Sequence, residues 1–88
     1  MSKKSEIKAL ILRIRLYEAQ KKPYLSNNTQ RMLYACEIMQ ITLGTARNIL
    51  NSDKRIKNLS LKEALSELKQ KDEYMYRLAI TDIEKDLY

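Results

Sequence analysis

The chain has 88 residues, the size of one small domain, and carries 17 Lys+Arg against 11 Asp+Glu for a net charge of +6. Its single Cys, single Gly and lack of any His exclude an internal disulfide, a Cys/His zinc site, a Walker loop and a Rossmann fingerprint, and leave no imidazole as general base. The longest aliphatic run, Ala9-Leu10-Ile11-Leu12, falls far short of the roughly 20 residues that a membrane span needs. The composition therefore predicts neither an enzyme nor a cofactor, metal or membrane protein, but one basic, mostly helical domain over residues 1–88. The lone Cys36 and the absence of an apolar leader point to the cytoplasm.

The charge is uneven. Residues 1–57 hold twelve Lys/Arg against four Asp/Glu, a net +8, while residues 58–88 hold five against seven, a net −2. A basic front and a mildly acidic tail predict a polyanion-facing part and a separate packing or partner-facing part.

In chain order, the first element is a helix over about residues 5–20, with Ile7, Leu10, Ile11, Ile14 and Tyr17 on one stripe, Ser5 as its cap and Pro23 beyond its end. A competing pattern overlaps it. Leu10, Leu12, Ile14 and Leu16 alternate with Ile11, Arg13 and Arg15 as in a strand, and a paired strand bearing Arg13 and Arg15 resembles the ribbon-helix-helix DNA binders. The stripe runs a turn further at each end and the alternation does not, so the helix is the expectation.

Turn-forming residues at 21–28 and 51–58 set off a central segment of about 29–51. Met32, Ala35, Cys36 and Met39 share one helical face, Thr42 is placed to cap a second helix, and Ala46, Ile49 and Leu50 form the inner face of that helix. The segment resembles the helix-turn-helix of small bacterial and phage DNA-binding regulators. Cys36 takes the place of the small residue at the helix crossing, followed by Ile41, Thr42, Thr45-Ala46-Arg47 and the closing Leu50. Gln40 stands where that pattern carries Gly in a left-handed turn, so a strained or differently built turn is expected there.

The resemblance implies a recognition helix over about 42–51 that presents Thr42, Leu43, Gly44, Arg47, Asn48 and Asn51 to base edges. Arg suits guanine O6/N7 and Asn suits adenine N6/N7. Arg31, Thr45, Lys54, Arg55 and Lys57 would then hold backbone phosphates.

The last region, about 60–87, opens on Ser60-Leu61-Lys62-Glu63, a capping box. Leu61, Leu65, Leu68, Asp72, Tyr76, Ala79, Ile83 and Leu87 follow with an eleven-residue period. Either one long helix or two helices divided at Asp72 fits this spacing. The stripe covers the domain's own core, or else Tyr76, Ala79, Ile83 and Leu87 form a seam for a homodimer or another protein.

The expected fold is a compact all-α domain with a central helix-turn-helix and a C-terminal helix or helical pair. The expected function is a sequence-specific regulator binding double-stranded DNA, of the kind found on phages and other mobile elements. The alternative is a small phage-type protein-interaction module or inhibitor of a host nucleic-acid enzyme.

Overall fold

The computed structural model describes residues 3–86 and places them in α1 (Lys3–Gln20), α2 (Asn28–Met39), α3 (Leu43–Ser52), the single turn α4 (Lys54–Lys57), α5 (Leu61–Lys71) and α6 (Glu73–Asp86). The all-α expectation holds, with no strand among the described residues. None of these helices is long and apolar enough to cross a membrane.

The double pattern in residues 10–16 has a packing cause. Leu10 and Ile14 enter a cluster with Ile56, Ala64, Leu68, Ala79 and Ile83, contributed by α4, α5 and α6. Leu12, turned about 200° from Leu10 around the helix, enters a second cluster with Ala35, Cys36, Ala46 and Leu50 of α2 and α3. A helix buried on two opposite sides carries apolar residues at alternate positions, so α1 imitates a strand. Leu10, Leu12, Ile14, Ile56 and Leu68 are fully buried, each worth about 1.5–3 kcal/mol relative to exposure.

The ribbon reading falls with the strand. Arg13, far from free, hydrogen-bonds through Nε to the Leu59 carbonyl at 3.2 Å and through a terminal nitrogen to the Tyr17 hydroxyl at 2.7 Å. Tyr17 in turn donates to the same Leu59 carbonyl at 2.8 Å, which ties α1 to the segment before α5. Arg15 is buried and pairs with Glu18 at 2.9 Å and Asp82 at 2.7 Å. Burial pulls its guanidinium down, and the two carboxylates outweigh that and hold its pKa above the ordinary value.

Local chemistry explains the helix ends. α1 starts at Lys3, so Ser5 lies within its first turn and is not its N-cap. Asn27 caps α2 by accepting from the Gln30 amide at 2.9 Å, Thr42 caps α3 by accepting from Thr45 at 3.1 Å, and Asp53 caps α4 by accepting from Ile56 at 3.1 Å. The predicted capping box is present: Ser60 and Glu63 exchange backbone-to-side-chain bonds at 3.0 and 3.2 Å.

The C-terminal region is two helices. Asp72 has extended backbone angles, φ −156° and ψ 93°, and its carboxylate accepts from the Met75 amide at 3.1 Å. Of the two uses left open for the C-terminal stripe, its described members take the domain's own core. Ala79 and Ile83 are buried in the first cluster, and half-buried Tyr76 packs against it under Lys69. The stripe is spent on the domain's own core. Leu87, its last member, lies outside the described residues.

Candidate nucleic-acid interface

α3 is fixed from its inner side outward. Ala46 and Leu50 are buried against α1 and α2, and Ile49 reaches both clusters. The turn that presents the helix runs through Gln40, whose backbone is left-handed at φ 57° and ψ 46°. Its N–H donates to the Glu37 carbonyl at 3.3 Å and the Ile41 N–H donates to Cys36 at 3.0 Å, the two bonds of a Schellman ending. The turn is thus the left-handed one, formed with Gln in place of Gly. Cys36 sits beneath it, its thiol 3.7 Å from the Thr42 carbonyl, and burial pushes that thiol's pKa up.

Helical periodicity then leaves Thr42, Gly44, Thr45, Arg47, Asn48 and Asn51 exposed. The side chains of Arg47, Asn48 and Asn51 have no hydrogen-bond or ion-pair partner among the described residues. From Ile38 to Ser52 the chain contains no carboxylate. A Cβ added to Gly44 would meet nothing within 4 Å, so the fold does not require glycine there and the helix backbone stands open to an approaching surface. Thr42 donates its hydroxyl hydrogen to Thr45 Oγ1 at 2.9 Å, which leaves the Thr45 hydroxyl hydrogen for another acceptor.

Several expected contacts lie elsewhere. Leu43 packs against the second cluster, in line with Ala46 and Leu50 on the inner stripe, and is no base-facing residue. Arg55 is committed to Glu67, with one terminal nitrogen 2.9 and 2.8 Å from the two carboxylate oxygens, and the hydrogen bond to Glu67 raises its pKa. Lys54 and Lys57 remain exposed on α4. Arg31 is half-buried, its Nε bonded to the Leu25 carbonyl at 3.2 Å.

One flank was not expected from the sequence. Ser5, Lys8 and Ala9 of α1 face Thr45, Asn48, Ile49 and Ser52 of α3 across a groove of about 440 Å³. Lys8 is exposed, forms no ion pair among the described residues, and stands one helical turn from exposed Lys4. That spacing was the available signal; the contact itself joins positions some forty residues apart.

Compared with known proteins, the chain has no match to a family model, a curated protein or a solved structure.

Proposed function

We propose that the chain binds double-stranded DNA through the outer face of α3 and acts as a sequence-specific regulator of the kind found on mobile genetic elements. The observation carrying this reading is the exposed, carboxylate-free set Thr42, Gly44, Thr45, Arg47, Asn48 and Asn51 on a helix clamped from behind by buried Ala46 and Leu50. Arg47, Asn48 and Asn51 are the base readers, with bidentate donors and acceptors suited to purine edges. Thr45, Lys54, Lys57 and Lys8 bind backbone phosphates and set the register.

The test is selection from random duplex DNA at two salt concentrations, followed by the double variant R47A/N48A. The expected outcome is an enriched motif, a steep loss of affinity with salt, and loss of motif binding in the variant without a change in melting temperature. Failure of the wild-type chain to bind duplex DNA at low salt overturns the reading.

A second reading, a protein-binding module, is favoured by a different face. Exposed Ile38 and Leu78 rim an apolar groove of about 550 Å³ whose walls include Ile11, Met39, Ile41 and Met75. Under that reading L78E abolishes partner capture and R47A/N48A leaves it intact.

A further inference from the structure

A third concave surface lies between α1, α2 and α4. Arg13, Gln20, Asn28, Arg31 and Lys57 line a pocket of about 260 Å³ together with the apolar side chains of Leu16 and Met32. Three cations therefore share one pocket, and no carboxylate lines it. Neither Arg31 nor Lys57 takes part in an ion pair among the described residues.

Like charges gathered without a counter-charge repel, and a fold keeps such an arrangement at a cost that a bound anion relieves. Both arginines are also held in place. Arg13 is fixed by its bonds to Leu59 and Tyr17 and lies 4.3 Å over the Tyr17 ring. Arg31 is fixed through Nε by the Leu25 carbonyl, which leaves both of its terminal amino groups without a partner among the described residues. A guanidinium anchored at Nε presents its two free ends as a planar fork, the geometry that oxyanions accept.

We propose that this pocket is a seat for one phosphate group, carried on a nucleotide or on a nucleic-acid backbone. The volume is consistent with that class: at about 260 Å³ the pocket lies below the about 300–1,000 Å³ of pockets that enclose whole organic ligands, so it can take a phosphate while the rest of a larger ligand lies outside. Half-buried Arg31 and exposed Lys57 supply the unpaired charge, Arg13 closes the inner side, and the Asn28 and Gln20 amides add neutral donors. The seat shares Lys57 with the backbone contacts proposed above, but none of its lining residues belongs to α3, so the seat and the base-reading role of α3 are tested apart.

The test is thermal melting with inorganic pyrophosphate against chloride at matched ionic strength. The expected result is a saturable rise of several degrees for the wild-type chain, lost in both R31Q and K57Q and kept in K62Q, whose lysine lies beside Glu63 and Glu67. Lys57 is exposed and anchors no other element, so K57Q keeps the test interpretable even where R31Q weakens the Leu25 loop. A rise that is linear in pyrophosphate, or equal in all four proteins, overturns the seat. Adenosine triphosphate and duplex DNA identify the source. Saturation by the nucleotide with an unchanged duplex salt slope in R31Q assigns a small phosphorylated ligand; a slope reduced by about one in R31Q assigns a backbone phosphate. The R47A/N48A chain must retain the pyrophosphate response. A wild-type chain that binds pyrophosphate and not duplex therefore removes the α3 reading and leaves the seat.

Discussion

At the scale of single residues, Gln40 and Gly44 make a pair whose identities run against their conformations. Gln40 occupies left-handed backbone, φ 57°, which disfavours every side chain, while Gly44 sits within a helix with free space where a Cβ would go. Replacing Gln40 by Gly removes the left-handed penalty and returns part of the gain as unfolded-state entropy, for a net stabilisation of about 0.5–1 kcal/mol. Urea or thermal unfolding checks this, and Q40V should lower stability. Replacing Gly44 by Ala should also stabilise, by about 0.5–1 kcal/mol, because a glycine inside a helix is the weaker former. If α3 is laid against a duplex, G44A will at the same time weaken DNA binding. A more stable protein with poorer affinity separates a glycine kept for close approach from one kept for nothing. Arg15 shows the opposite economy. Its guanidinium is the partner of buried Glu18, so R15A strands that charge and should cost about 3–5 kcal/mol. D82A should cost less, since the Asp82 carboxylate is 41% exposed and still reaches water.

Among the elements, the caps carry predictions that need no functional assumption. Asp72 both ends α5 and begins α6, so D72A should cost about 1 kcal/mol and loosen the α5–α6 junction, visible as faster amide exchange at Glu73–Met75. The Ser60–Glu63 box holds the Glu63 carboxyl below its ordinary pKa, chiefly through its bond to the Ser60 backbone N–H. A carboxyl depressed in the folded state adds stability that is fully present above its unfolded pKa and is lost as pH falls through the folded value. Glu63→Gln should therefore flatten the acid limb of the stability profile by lowering stability at neutral pH, while leaving it nearly unchanged at acid pH, where the Glu63 carboxyl is itself protonated. These caps were readable in the sequence because a cap is a contact within four residues. The inner stripe of α3 was readable for the same reason, and Leu43 belonged on it: positions 43, 46 and 50 have the i, i+3, i+7 spacing of one face. The two-sided burial of α1 was not readable. Periodicity tells which residues share a face, not what covers that face, so α1 resembled a strand and the α6 stripe resembled an intermolecular seam. I83A should accordingly destabilise by about 2–5 kcal/mol through a core cavity, with no change in association state at matched folded fraction.

For the whole molecule, the basic excess of residues 1–57 resolves into cations that are already engaged and cations that are not. Arg15 and Arg55 are spent on carboxylates, and Arg13 is tied to Tyr17 and Leu59. Lys8, Arg47, Lys54 and Lys57 have no ion pair among the described residues and are exposed. Net charge in the sequence could not make this division, since Arg55 and Glu67 meet across twelve positions and Lys8 meets α3 only through the tertiary fold. The division makes the duplex reading quantitative. Lys8 faces Asn48 across the groove beside α3, and the two should act differently on the same DNA. A lysine on a phosphate is blind to sequence: K8A should weaken binding to every duplex by a similar factor and reduce the slope of log affinity against log salt by about one. An asparagine on a base edge is not blind: N48A should cost about 1–3 kcal/mol on the selected motif, little on random duplex, and leave the salt slope unchanged. Affinities of both variants for motif and random duplex at four salt concentrations give all of these quantities. If K8A alters sequence preference while N48A alters only the slope, the roles are reversed and α3 is not the reading helix. If neither variant changes either quantity, the groove between α1 and α3 does not face the duplex.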